Sequence, residues 1–324
     1  MNQNENLHKL YLTYFFFILA TTIFAQAPVT SQTDFGIGFS DILFWRAPSV
    51  NGVEVKEIKE WRNYGDNKVV LGDHYTFRSG GALTAALITD GYEDKQFYFT
   101  YRTGERFHWI YQYEKYDSTT YIFAYKEGQD IVEMHSGDTR RKTFYYKNEK
   151  GLVIEKKEFY KDVSNKEKYD LNSRTVYNYN QKDSLFGEMR YTYHSNEKPN
   201  TKKVIHHYDL SSGLKLRTNF YNQDGLPHES DHFYYNEKGQ LIKIVRSSDV
   251  LKDYTFFQIL FIYQNNQLQR KESSFYLSGQ HDKENLRKTE VYREGRLVYK
   301  KLKTADGSVV ESNYQYIPRH KTKT

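Results

Sequence analysis

Aromatic and β-branched positions alternate with polar positions along most of the chain, and each short run ends at a polar turn. Between residues 96 and 102, for example, Phe97, Phe99 and Tyr101 share one face. A period of two residues predicts a β-strand with one buried face. Downstream of the N-terminal segment, no long stripe with a 3.6-residue period predicts a helix. Ala82 to Ile88 (ALTAALI) is compatible with either a short helix or a short strand.

The strand-and-turn pattern repeats from about Gln96 onward. Its clearest copies are residues 144–152 (FYYKNEKGL) and 233–241 (FYYNEKGQL). From Gly213 to Gly225 is 12 residues and from Gly225 to Gly239 is 14, about one strand plus one turn. Glycine suits such turns because it tolerates positive φ, and Tyr, Phe, Val and Ile suit a pleated surface. The sequence therefore predicts an all-β fold, an elongated array of antiparallel β-hairpins in an open, twisted sheet.

The pattern divides the chain into four parts. Residues 1–25 are predicted to be a signal peptide, and residues 26–95, which lack a clear repeat, an N-terminal cap or small β subdomain. Residues 96–317 are the predicted repeat region, and residues 318–324 a disordered polar tail.

The signal-peptide prediction rests on an uncharged run from Leu10 to Phe24 that follows a polar start ending at Lys9. This run has 15 residues, fewer than the roughly 20 that a membrane-spanning helix needs. Ala25 supplies a small residue before a cleavage point. We therefore expect export to the periplasm, the cell surface or the medium. The alternative is an uncleaved N-terminal anchor.

The repeats resemble the YD family of RHS-type and other bacterial surface proteins, in which an aromatic pair precedes a polar turn with Gly and then Arg-Leu or an equivalent. MORN-like hairpin arrays share the pattern. The resemblance covers about residues 96–316 and implies extended or spiralling antiparallel β structure. Some family members enclose a toxin, but no separate C-terminal toxin segment follows these repeats. The nearest matches are Tyr208-Asp209, Gly295-Arg296-Leu297, and Tyr235-Asn236 with Gly239-Gln240-Leu241.

Composition supports a folded chain with a thin aromatic core. Aromatic residues make up 17% of the sequence, although the mean hydropathy is -0.84, and disordered chains are poor in aromatic residues. The absence of cysteine excludes disulfides, thiolate metal sites and cysteine nucleophiles.

The charge pattern disfavours an outer-membrane β-barrel, which needs an uncharged lipid-facing side on each strand. In residues 152–160, alternation puts Lys156 and Glu158 on one face and Glu155 and Lys157 on the other. Charge on both faces therefore favours the open array over a membrane barrel.

Charge also differs between the two parts of the chain. Residues 26–140 hold 12 Lys and Arg against 17 Asp and Glu, whereas residues 141–324 hold 34 against 23. A basic C-terminal part favours an anionic polysaccharide or envelope component as partner, with another surface protein as a further candidate. Nucleic acid is not expected to be the partner of an exported chain. The alternative is a solvated surface on which both signs of charge are mixed.

Sequence motifs offer little catalytic chemistry. The chain has no P-loop, no dinucleotide-binding glycine motif, no H-E-x-x-H and no G-x-S-x-G elbow. His228 and His232 are four residues apart, and on a strand this separation is about 13 Å, too far for one metal ion. We therefore expect no cofactor and no metal, and we assign no catalytic residue.

The candidate binding residues are Trp45, Trp61 and Trp109, because exposed aromatic rings can cover the C–H faces of sugars. The alternative places these rings in the core. The predicted function is that of an exported, non-catalytic repeat protein that binds a glycan, an envelope component or a protein through its sheet. The competing hypothesis is a polysaccharide hydrolase with a carboxylate pair between the cap and the array.

Overall fold

The structure is a computed structural model, and nearly all of its described part is β-strand. The described residues are 46–50, 52–64, 69–89, 94–101, 107–114, 117–162, 169–193, 199–209, 211–251, 254–276 and 284–319. The predicted signal peptide and Trp45 lie outside these residues. Among the described residues, no helix is long and apolar enough to cross a membrane.

Twenty-one strands follow one another along the chain. The first eleven are β1 (Ser49–Val50), β2 (Val53–Asn63), β3 (Val69–Phe77), β4 (Leu83–Thr89), β5 (Asp94–Tyr101), β6 (Phe107–Glu114), β7 (Asp117–Lys126), β8 (Gln129–Ser136), β9 (Thr139–Lys147), β10 (Val153–Asp162) and β11 (Asp170–Tyr179). The other ten are β12 (Leu185–Thr192), β13 (Asn200–Tyr208), β14 (Lys215–Tyr221), β15 (Pro227–Tyr235), β16 (Leu241–Ser248), β17 (Thr255–Gln264), β18 (Gln267–Tyr276), β19 (Glu284–Arg293), β20 (Arg296–Thr304) and β21 (Val309–Pro318).

The strands form a closed ring of pairings. Consecutive strands are antiparallel neighbours, and β2 is hydrogen-bonded to both β3 and β21. The 20 strands from β2 to β21 therefore form a closed antiparallel β-barrel. At the β2–β21 seam, the Tyr314 hydroxyl donates a hydrogen bond to a Glu60 carboxylate oxygen at 3.1 Å, and Lys300 Nζ lies 2.9 Å from the same carboxylate. The first strand of the ring is thereby tied to the last.

Closure corrects the sequence interpretation. The prediction of all-β antiparallel hairpins is confirmed, but the open twisted array is wrong, and so is the resemblance to YD/RHS-type and MORN-like repeats. The physical reason is that β2 and β21 satisfy each other's backbone groups, whereas an open array leaves one edge of its first and last strands unpaired. Residues 82–88, left open between helix and strand, belong almost entirely to β4.

The described chain divides into two compact units. The first unit contains the described residues within 46–59, 72–118 and 316–319, and the second contains those within 60–71 and 119–315. The predicted boundaries of the cap and repeat region, residues 26–95 and 96–317, stay predictions.

A five-residue turn recurs between strands of the second unit. Before Gly239, the Asn236 side-chain oxygen accepts hydrogen bonds from the backbone N–H groups of Lys238 and Gln240, at 3.0 and 2.9 Å. Gly239 then takes φ of +73°. In this turn, the asparagine three residues before the glycine therefore stabilises the backbone, and the glycine supplies the positive φ that the spacing predicted.

Gly239→Ala should lower the free energy of unfolding by about 1 kcal/mol, because a Cβ is strained at positive φ. Gly187→Ala is the matched control, since Gly187 lies within β12 and has no positive φ. Urea denaturation of both variants checks the prediction. Equal stability of Gly239→Ala and the wild type would contradict it.

Candidate functional site

Four aromatic side chains share the exposed face of the β5–β6 hairpin in the first unit. Tyr98 lies directly opposite Tyr111 in the antiparallel register, Trp109 lies opposite Thr100, and Tyr113 lies opposite Gln96. Directly opposed side chains have Cβ atoms about 5 Å apart. We call Tyr98, Trp109, Tyr111 and Tyr113 the aromatic platform.

The platform side chains are accessible to solvent. Tyr98 and Tyr113 are 46% and 45% exposed, and Trp109 and Tyr111 are half-buried. The Tyr98 hydroxyl donates a hydrogen bond to Gln96 Oε1 at 3.1 Å. The platform thus combines apolar ring faces with polar groups at its edge.

A rigid aromatic layer supports the platform from the other side of the sheet. Phe97, Phe99, Phe107 and Ile110 are buried there, and the rings of Phe97 and Phe99 stack with centroids 6.3 Å apart. Packing on this face fixes the two strands, and so the spacing of the exposed rings.

On β5, the platform face carries no charged side chain from Gln96 to Thr100, and Asp94 lies on the same face at the start of the strand. On the neighbouring strand β4, Ala85 lies opposite Tyr98, and Leu87 lies opposite Gln96. Such a surface suits a ligand with alternating apolar faces and hydroxyl groups.

The predicted tryptophans have different positions. Trp109 lies in the platform. Trp61 lies on β2 in the second unit, is 37% exposed, and donates a hydrogen bond from Nε1 to Gln315 Oε1 at 3.2 Å. Trp45 is outside the described residues. That Trp61 and Trp109 bind a ligand stays a prediction.

Sequence reasoning missed the three tyrosines of the platform. The run FYFTY was interpreted through its buried face, and Phe97 and Phe99 are indeed buried. The same alternation puts Tyr98 on the opposite face, and Tyr111 and Tyr113 have the same parity as Trp109 in the next strand. Applying the alternation of side chains to the exposed faces of both strands, and not only to the buried one, identifies these three tyrosines.

The buried face of the second unit carries ion pairs. Glu290 Oε1 is 2.7 Å from Lys288 Nζ, and its Oε2 is 3.1 Å from Lys271 Nζ. Burial raises the pKa of the Glu290 carboxyl, but Lys288 and Lys271 lower it by more, to about 2. Such a carboxyl is ionised at neutral pH.

In two further buried carboxyls, neighbouring cations likewise lower the pKa by more than burial raises it. Burial raises the pKa of Glu158, but Lys156 at 2.8 Å, a hydrogen bond from Ser173 and the charge of Arg141 together lower it to about 2. Burial likewise raises the pKa of Glu60, and Lys300 and Arg62 hold it well below its usual range. A glycosidase needs a carboxyl with a raised pKa to protonate the leaving group. These three carboxyls act as counter-ions, and none supports the hydrolase hypothesis.

The histidines considered for metal binding lie on a strand. Both His228 and His232 belong to β15. In the part of the chain that the structure describes, no group of three or more His, Asp or Glu side chains is arranged to hold a metal ion.

Comparison with known proteins gives low similarity. No protein-family model matches the sequence, and no curated protein matches it. Among solved structures, the chain is similar to a porin-like protein from Bacteroides uniformis, with 13% identity over 81% of this chain and 96% of that one, at a TM-score of 0.37. A porin-like protein from Bacteroides vulgatus has 10% identity over 56% of this chain and 98% of that one, at a TM-score of 0.33.

Proposed function

We propose that this protein is an exported, non-catalytic β-barrel of the cell envelope that binds a glycan through the exposed face of its sheet. The observation that carries the proposal is the aromatic platform, in which four rings share one solvent-accessible face of the β5–β6 hairpin. Sugar rings present apolar C–H faces and equatorial hydroxyls, which match ring faces bordered by Gln96 and Thr100. Export is supported by the signal-peptide pattern of residues 1–25.

Charges on the exposed face favour a water-facing barrel over one embedded in lipid. Lys157, Arg270 and Lys301 lie within strands on this face, and their side chains are 30%, 50% and 43% exposed. Each Lys or Arg at the middle of a bilayer would cost about 2–4 kcal/mol. We therefore propose that the protein is periplasmic, at the cell surface or secreted.

Isothermal titration calorimetry of the full chain against soluble neutral polysaccharides (mannan, laminarin and dextran) tests the proposal. We expect at least one to bind, and we expect Tyr98→Ala and Trp109→Ala to weaken that binding about tenfold, because each removes a stacking ring. Tyr64→Ala is the matched control, since Tyr64 is 45% exposed and lies outside the platform.

Two outcomes would overturn this function. One is that none of the three polysaccharides binds. The other is that Tyr98→Ala and Tyr64→Ala change binding equally, which would mean that any exposed tyrosine contributes and that the platform is not a site.

A further inference from the structure

The exposed face of the second unit is basic between β9 and β16. This face is opposite the buried side chains of Thr143, Glu158, Thr218 and Asp231. Three described carboxylates pair with cations of this face: Glu155 with Lys157 and Arg174, Glu133 of β8 with Lys142, and Asp249 with Arg217. The cations of this face, assigned from the strand registers, are Arg140, Lys142, Lys157, Lys161, Arg174, Lys203, Arg217 and Lys243.

A cross-strand row of basic side chains lies at the centre of this face. His207 on β13, Arg217 on β14 and His232 on β15 are direct neighbours in the antiparallel register. Arg217 donates hydrogen bonds to Asp249 at 2.9 Å and to Ser230 Oγ at 2.7 Å. The row therefore contains a fixed guanidinium between two imidazoles, and the aspartate neutralises part of its charge.

Lys203 and Lys243 flank the row, and each lies close to an aromatic ring. Lys203 Nζ is 5.2 Å from the centroid of the Tyr221 ring, and Lys243 Nζ is 5.6 Å from that of Tyr234. Within the described residues, neither ammonium group has a carboxylate at ion-pairing distance. β13 and β16 are three strands apart, and the registers place Lys203 and Lys243 six residues apart along the strands. The backbone positions of the two lysines are therefore about 24 Å apart.

We propose that this surface, defined by Lys203, Lys243, Tyr221, Tyr234 and Arg217, binds an acidic polysaccharide. Each lysine can pair with a sugar carboxylate or sulfate while the adjacent tyrosine contacts the sugar ring. An extended polysaccharide with carboxylates along its length can contact both lysines, which are about 24 Å apart. Two isolated cations offer few contacts to duplex DNA, which carries one charge per about 1.7 Å of its axis. The surface belongs to the second unit and does not depend on the aromatic platform.

The experiment measures binding of the full chain to sodium polygalacturonate at 50 and 500 mM NaCl. We expect binding at low salt and a loss of at least tenfold at high salt, because the contacts are electrostatic. The double variant Lys203→Gln/Lys243→Gln should bind about tenfold more weakly at low salt. The matched control is Lys301→Gln/Lys303→Gln, which removes the same charge from β20 and should change binding less than twofold.

Three results would overturn the proposal: no binding of polygalacturonate, equal losses in the two double variants, or equally tight binding of duplex DNA. Thermal unfolding of each variant ensures that losses are compared between folded proteins. Tyr98→Ala should leave polygalacturonate binding unchanged, and Lys203→Gln/Lys243→Gln should leave binding of a neutral polysaccharide unchanged. Failure of this site and failure of the platform can therefore be told apart.

Discussion

Glu290→Ala is expected to lower the free energy of unfolding by about 3–5 kcal/mol, because it leaves two buried ammonium groups without their counter-ion. The side chains of Lys271 and Lys288 are 2% and 11% exposed. Burial already lowers the pKa of Lys271, and Glu290 opposes that effect. Chemical denaturation at pH 7 measures the loss.

Glu311→Ala is the matched control for this prediction. Glu311 pairs with Lys301 at 2.8 Å, but the two side chains are 39% and 43% exposed, so removing this pair should cost less than about 1 kcal/mol. Similar losses in Glu290→Ala and Glu311→Ala would contradict the view that the buried ions form a structural core.

Acid should destabilise the fold between about pH 4.5 and pH 2. Glu158 and Glu290 have an ordinary pKa of 4.5 that is lowered to about 2 in the fold. Their stabilisation is therefore fully present above the unfolded pKa and is lost as the pH falls toward the folded pKa. At 1.36 kcal/mol per pKa unit, each group contributes on the order of 3 kcal/mol.

Urea denaturation at pH 7, 4, 3 and 2.5 checks this pH dependence. Glu158→Gln should be less stable than the wild type at pH 7, and the difference between them should shrink as the pH approaches 2. A constant difference across this range would show that Glu158 has a similar pKa in the folded and unfolded chains, contrary to the prediction.

Local features of the fold could be predicted from the sequence, because they depend on neighbouring residues. Gly213, Gly225 and Gly239 all have positive φ, as their turn positions required. In β10, Lys156 and Glu158 lie on the buried face, and Glu155 and Lys157 lie on the exposed one, as the alternation predicted.

Closure could not be predicted from these local patterns. The contact between Glu60 and Tyr314 joins residues 254 positions apart, and nothing in either segment identifies the other as its partner. Charge on both faces argues against a lipid-facing barrel, but it does not predict whether the sheet closes. Here Lys156 and Glu158 neutralise each other at 2.8 Å on the buried face, so that face tolerates charge.

The candidate site could be predicted only in part, for a related reason. Tryptophan is rare in this sequence, so Trp109 was easy to single out, whereas Tyr98 is one of 31 tyrosines. Which tyrosines share an exposed face depends on the register of β5 with β6. That register is a property of the folded hairpin.

The seam between β2 and β21 has a consequence for the order of folding. Each hairpin can form from neighbouring segments in microseconds, but β2 cannot acquire its second partner until the last strand of the ring is available. Bringing the ends of such a long loop together costs entropy that grows with loop length, and folds rich in distant contacts form slowly. During synthesis, one edge of β2 therefore stays unpaired until β21 is available, and in this interval the chain is most exposed to aggregation through that edge.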